Sequence, residues 1–449
     1  MKKTACHLLS AAFFLSLPAA AFAADGSLNS TSILRVYQDD RAGFASKDLA
    51  PVTEFLALDA EKLGDGNLSA HLYGWGRLDL ADDSFNNGKT DASLTYGYLM
   101  YRFKNANAQA RAGRFMVTDG IVNEHVDGVS ASTDLPYGFR VSAFGGAPVH
   151  TQHLANENTD GKGNGIFGGR LGYRFGGMLE VGVSGVYESG APSLDRPGNI
   201  ALERGARLGD HRLVGGDIWF SPVRAVELIG HTSYNTETSG IAEHTYLLNL
   251  KPAKKLLVAA EFSEHHERNY FYSSALFASM VGDLSEKSRT TGLSGSYELG
   301  QGTEVSADYK HYSRDIGSAD RFGANVRFTH MDNTMRSGIG YHYLNADSGF
   351  AINPATDDSA SFHEVRCYTM RDTKTFFGAL DAIGYFFKEK INNEKSAWET
   401  IGSVGYHITP ALALSGDLSY GQNPQYNDDL KGLVRLTYNM NYSGKGDAK

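Results

Sequence analysis

The sequence predicts an all-β protein, a transmembrane antiparallel up-and-down β-barrel of about 22 strands (20 to 24), on three observations. Short segments alternate apolar and polar residues with a period of two. The connections between them alternate between tight turns and longer polar loops. The chain opens on a secretion signal, with Lys2 and Lys3, an apolar run from Leu8 to Leu17, and the small-residue site Ala21-Phe22-Ala23.

The signal assigns residues 1–23 to targeting and 24–449 to a single barrel domain. Of the two cysteines, Cys6 leaves with the signal, so Cys367 has no partner for an internal disulfide. Net charge is −9 with no basic cluster, which excludes nucleic acid as a partner. Beyond the signal there is no apolar run near 18 residues, so a chain that crosses a membrane must close a barrel and pair every backbone group internally.

The last strand, Gly432 to Tyr442, shows the pattern most clearly. Val434, Leu436, Tyr438, Met440 and Tyr442 share one face, and Arg435, Thr437, Asn439 and Asn441 the other. It is expected to run inward and to pair with a first strand at Thr31 to Asp39, leaving no open edge. Tyr442 is then the aromatic residue near the carboxyl end that closes the apolar face.

Between these strands, tight turns are expected at Glu61–Asn67, Lys104–Asn107, Leu135–Gly138, Phe175–Met178, Ser221–Arg224, Lys251–Lys254, Gly300–Thr303, Asp332–Met335, Arg371–Lys374 and Ile408–Ala411. Longer loops are expected at Asp82–Thr90, His150–Asn164, Ser189–Asp210, Ser263–Ser288, Asn345–Ser361, Lys388–Lys395 and Gly421–Lys431. The turns belong on the periplasmic side and the loops outside.

Strand faces fix what meets lipid. Leu72, Leu78 and Leu80 oppose His71, Arg77 and Asp79; Ala110 and Ala112 oppose Gln109 and Arg111; Phe322, Ala324, Val326 and Phe328 oppose Asn325, Arg327 and Thr329. An outward arginine at the bilayer midplane costs roughly 2–4 kcal/mol, so the polar faces belong in the lumen. Tyr101, Phe103, Tyr173, Phe175, Trp219, Phe220, Tyr341, Tyr343, Phe386 and Tyr406 stand near strand ends as girdle candidates. A secreted sandwich of two sheets also alternates, but it does not explain one wet face on so many strands.

The lumen-lining candidates carry both signs: Arg77, Arg111, Arg140, Arg170, Arg174, Lys310, Arg327 and Arg435 against Asp79, Asp217, Glu227, Glu261, Asp308 and Asp417. Rings of such charge set ion selectivity, or simply pair and solvate one another. A barrel this wide can hold a plug. A transporter of the TonB-dependent kind needs a globular domain ahead of the first strand, where only Ala24 to Thr31 stands, so loops, water or another protein are expected to fill the lumen. The loops Ser189–Asp210 and Ser263–Ser288 are long enough to fold in, the second around Phe271, Tyr272, Leu276, Phe277 and Met280, or to cap the barrel from outside.

Catalytic, metal and cofactor signals are absent. There is no Cys-x-x-Cys-His for haem, and His363-Glu364-Val365-Arg366-Cys367 has cysteine where a zinc motif needs its second histidine. On a strand His363 and Glu364 also point to opposite faces. His265-His266-Glu267 reads as a solvated loop, and Gly161 to Gly165 as a flexible one. His125 and Asp127 share a face with no nucleophile beside them, so no enzyme, cofactor or metal site is expected.

One stretch goes further. Arg111 to Val149 carries Gly113-Arg114, Asp127-Gly128 and Gly145-Gly146-Ala147-Pro148-Val149. It resembles outer-membrane barrels of metal-reducing bacteria, some porin-like and some the sheath of porin-cytochrome conduits. The resemblance covers about a tenth of the chain and implies a Gram-negative outer membrane, with lipid as partner. Two functions stay open. One is a channel passing small solutes or ions; the other is a scaffold whose lumen encloses a multihaem c-type cytochrome.

Overall fold

The structure, a computed structural model, describes residues 25–39, 47–81, 89–149, 164–191, 209–266, 287–315, 317–347, 361–424 and 426–443. The signal, the loop apolar residues Phe271 to Met280, and most of the five loops expected between residues 82 and 361 lie outside the described residues.

Among the described residues twenty-two strands follow one another. They are β1 (Asp25–Asp39), β2 (Lys47–Leu49 and Pro51–Leu63, interrupted at Ala50), β3 (Leu68–Asp79), β4 (Thr90–Arg102), β5 (Ala108–Asp119), β6 (Val122–Asp134), β7 (Phe139–Pro148) and β8 (Ile166–Phe175). Then come β9 (Leu179–Ala191), β10 (Gly209–Val223), β11 (Val226–Asn235), β12 (Gly240–Ala253), β13 (Leu256–His266), β14 (Lys287–Gly300) and β15 (Thr303–Arg314). The wall ends with β16 (Gly317–His330), β17 (Met335–Ala346), β18 (Phe362–Asp372), β19 (Phe376–Ile391), β20 (Glu394–Thr409), β21 (Leu412–Asn423) and β22 (Tyr426–Ser443).

Each strand pairs antiparallel with the next, and β1 pairs with β22 from Asp25↔Ser443 to Tyr37↔Lys431. The sheet therefore closes with no free edge. The expected seam is present; β1 begins at Asp25 and not at Thr31 but ends at Asp39 as expected, and β22 runs beyond the expected Gly432 to Tyr442 at both ends. All ten expected turns fall on one rim. Glycine or asparagine takes the positive φ that several of them require, as at Gly64 (58°), Gly66 (87°) and Asn333 (66°).

Two connections read as loops are instead strand. Lys388–Lys395 is polar, yet β19 and β20 continue through it to a two-residue turn whose Asn392 and Asn393 adopt φ 49° and 71°. Gly421–Lys431 likewise belongs mostly to β21 and β22. Above the membrane a strand has no apolar face to reveal it, so polarity alone misled.

The outward face is apolar: Leu171 is 53% exposed, Val183 68% and Val404 73%, whereas lumenal Arg170 is 7% exposed. Tyr101 packs edge-on to Phe103, and Phe376 lies against Tyr406, at the turn-side rim. One girdle candidate is misplaced: Trp219 shares the lumenal face with Asp217, and its indole N–H donates to Glu227 at 3.1 Å. Another exception runs the opposite way. Glu54 shares the outward face with Val52 and Leu56 and accepts hydroxyl hydrogen bonds from Ser30 (2.6 Å) and Ser32, so two serines supply the bonds that lipid cannot. Val404→Arg is expected to destabilise the barrel by roughly 2–4 kcal/mol. Ser403→Arg, one residue along on the wet face, should change little; urea unfolding in lipid vesicles compares the two.

Candidate functional site: a hairpin folded into the lumen

The wall departs from a simple barrel at β5 and β6. Pairing of β5 with β4 stops at Arg114↔Gly97, and pairing of β6 with β7 stops at Val126↔Pro148. Beyond the last wall contact of β6, where the His125 carbonyl accepts the Val149 N–H at 2.9 Å, the two strands pair only with each other, from Val117↔Glu124 to Asp119↔Val122. The tip, Gly120-Ile121, reaches three strands further round the wall. The Ile121 N–H donates to Ser184 Oγ of β9 at 3.1 Å, and the Ser142 hydroxyl of β7 donates to Asp119. Ser142, Arg170, Ser184 and Gly215 form one lumenal row across β7 to β10, so the tip lies inside the barrel.

Three glycines in register permit the bend. Gly113 faces Gly128, which faces Gly146. Gly113 has φ 127°, and a Cβ there would stand 2.8 Å from Tyr98 Cα; one on Gly128 would stand 2.7 Å from Gly146 Cα. Beside them Arg114 donates two hydrogen bonds to Asp127, Nε and Nη2 each at 2.7 Å, and a third to the Leu94 carbonyl at 2.9 Å. This is the Gly-Arg, Asp-Gly, Gly-Gly stretch singled out in the sequence, and its physical content is a hinge with a bidentate clamp. Gly128→Val is expected to misplace the hairpin and lower the yield of folded barrel, assayed by heat-dependent gel mobility.

Past the hinge the hairpin is two-faced. Phe115 (1% exposed), Val122 and Val126 pack on an inward apolar patch of the wall: Phe144, Ile166, Val186, Leu213 and Ala242. Met116, on the opposite side, is 49% exposed to the lumen. Burial of apolar surface thus holds the shaft of the hairpin against the wall, not across open water. Phe115→Ala removes about 3–5 kcal/mol of that contact. Hydrogen exchange is expected to lose protection across residues 115–126 while the other strands keep theirs.

Charge holds the tip. Arg170 donates to Asp217 through Nε (2.9 Å) and Nη2 (2.6 Å), and lies 3.2 Å from Glu180 and 3.7 Å from Asp119 of the hairpin. Its side chain is 6% exposed and that of Asp217 17%. One guanidinium thereby joins β8, β9, β10 and the tip.

The other sequence candidates lie on lumenal faces, and most are engaged. Arg174 pairs with Glu180 (2.7 Å), Lys310 with Glu261 across Gly292 (2.5 Å), Arg327 with Glu304 (2.9 Å), and Arg435 with Asp417 (3.4 Å). Asp308 binds Arg321 at 2.9 Å, and Glu227 accepts from Trp219 and Asn249. Asp79 is buried and accepts the N–H groups of Ala50 and Ala81, which fastens the break in β2; Arg77 lies two residues before it on β3. Around the hairpin the structure brings together Arg111, Arg140, Arg170 and Asp217, which line a cavity of about 340 Å³ with Asp119 and Glu180. Glu364 binds His342 at 2.9 Å in the lumen, while its neighbour His363 stacks on Tyr343 outside, as strand geometry requires.

No protein-family model matches the sequence, and no curated protein matches it. Solved structures do. The chain is similar to the ferric enterobactin receptor PfeA of Pseudomonas aeruginosa, in complex with BCV-L6, at 10% identity and a TM-score of 0.58, over 93% of this chain and 81% of that one. It is similar to the siderophore receptor PirA of Acinetobacter baumannii at 11% identity and a TM-score of 0.57, over 92% and 80%. The likeness is one of fold: a closed antiparallel barrel of outer-membrane type.

Proposed function

We propose that this protein is a porin-like channel of the Gram-negative outer membrane, passing small solutes or ions through a lumen narrowed by the hairpin at residues 115–126. The observation that carries the reading is the pinned hairpin tip, which takes up lumen space without closing the barrel wall. The lipid-facing apolar band supports the location, and the solvated lumenal charges support passage of polar solutes. The scaffold reading asks the lumen to admit a folded cytochrome, and the inward hairpin occupies part of the room such a guest needs. A siderophore receptor, as the matched structures are described, shares with this chain a fold and nothing finer.

Reconstitution in a planar bilayer tests the proposal. Discrete conductance steps are expected from purified protein, and a correctly folded barrel that conducts nothing would sink it.

A further inference from the structure

Resting on that channel reading, we infer that the cavity beside the hairpin is a binding subsite for small oxyanions, held by Arg111 and Arg140. Both arginines line the cavity, from β5 and β7, with Ser130, Ser132 and Gln109 along the same surface. In register, Arg111 faces Ser130, Ser132 faces Ser142, and Asp134 faces Arg140, so the serines of β6 stand between the two cations.

The carboxylates nearby are already engaged. Three carboxylates share the cavity, and all three serve Arg170: Asp217 by two hydrogen bonds, Glu180 at 3.2 Å, and Asp119 at 3.7 Å. Glu180 also binds Arg174, and Asp119 also accepts from Ser142. Asp134 accepts from Asn107. Among the described residues Arg111 and Arg140 make no ion pair; Arg111 has its guanidinium carbon 5.9 Å from the centre of the Tyr98 ring, a weak contact that leaves its donors available. The lumenal cations Arg174, Lys310, Arg327 and Arg435 are tied to carboxylates, whereas the cavity balances Arg111, Arg140 and Arg170 against Asp119, Glu180 and Asp217, so its two untied arginines add free hydrogen-bond donors and no net charge.

Guanidinium offers planar forked donors and no acceptor, which suits carboxylate or phosphate oxygens. Size limits the ligand. A cavity of about 340 Å³ sits at the small end of the ~300–1,000 Å³ range of ligand sites, so it fits an anion of a few heavy atoms and not a siderophore.

Isothermal titration calorimetry on the detergent-solubilised barrel, with succinate and separately with inorganic phosphate, tests this without relying on conduction. Binding of at least one anion is expected, and R111Q/R140Q is expected to weaken it by about tenfold or more, the equivalent of one charge-assisted hydrogen bond. R435Q, which alters a paired lumenal cation, should bind as the unaltered protein does. Heat-dependent gel mobility checks that each variant folds, and the single variants R111Q and R140Q, each expected to weaken binding, decide the matter if the double one does not. Binding of both anions shows that the site reads oxyanion charge; binding of one names the carboxylate or the phosphate source. Equal binding by R111Q/R140Q, or no binding of either anion to the unaltered protein, overturns the inference. Absence of conductance in a bilayer would instead count against the channel reading and leave this titration standing.

Discussion

Replacing residues 116–124 by a two-residue turn is expected to raise single-channel conductance, roughly twofold or more, because the hairpin is the element that leaves the wall and takes up lumen in a barrel whose diameter is set by its strand number. The wall itself should survive. Pairing of β4 with β5 and of β6 with β7 ends before the deleted residues, so no wall hydrogen bond is lost. The apolar patch of Phe144, Ile166, Val186 and Leu213 would then face water, at a modest cost in stability. A variant that folds and conducts as the unaltered protein does would remove the hairpin from the account of permeation.

Arg170→Ala is expected to have the second largest effect. The side chain is 6% exposed, and its loss leaves Asp119, Glu180 and Asp217 close together without their shared cation. Removing one partner from such a buried network costs about 3–5 kcal/mol. Part of that cost can be relieved by letting the tip leave the wall, because Asp119 belongs to the hairpin. Current through R170A should therefore be noisier and larger on average, with a lower unfolding midpoint in urea. Arg170→Lys restores the charge but not the two-pronged bond to Asp217, and should fall between the two. Quiet, unaltered current in R170A would show that the network does not hold the tip.

Much of the architecture was legible because closing a barrel in lipid imposes period-two patterning on every strand, and turn residues punctuate it. Val434 to Tyr442, the Ala110–Ala112 face and the turn at Leu135–Gly138 all announced their places in this way. The strand ends above the membrane were not legible. At Lys388–Lys395 neither face meets lipid, so the alternation stops while the backbone pairing continues. The hairpin was hidden for a related reason: Phe115, Val122 and Val126 fall on the face that carries Arg111 and Ser130, where period-two patterning alone names no packing partner, and the glycines at 113, 128 and 146 distinguish a bend from a straight wall. Those glycines belong to the stretch that carries the family resemblance, and their close approach to neighbouring backbone follows once pairing sets all three in register. Charge pairing across strands, such as Arg170 with Asp217, depends on which strands become neighbours and at what offset, which one-dimensional spacing does not give.

The seating of the hairpin tip can be measured directly through the contact between Gly120 and Ser184, where a Cβ on Gly120 would lie 3.0 Å from the Ser184 Cβ, about half an ångström short of the ~3.5–4.5 Å that a disulfide spans, so a small outward shift of the tip seats the bond. In a Cys367→Ser background, which removes the exposed free thiol, the pair G120C/S184C is expected to form a disulfide on mild oxidation in the folded barrel. The cross-linked barrel should keep the small, quiet conductance of the unaltered protein, and reduction should restore free thiols without unfolding it. Met116, on the open face of the hairpin, supplies the control: M116C/S184C should stay reduced. A folded barrel in which G120C/S184C never cross-links, or cross-links no better than M116C/S184C, would contradict a hairpin seated on the inner wall.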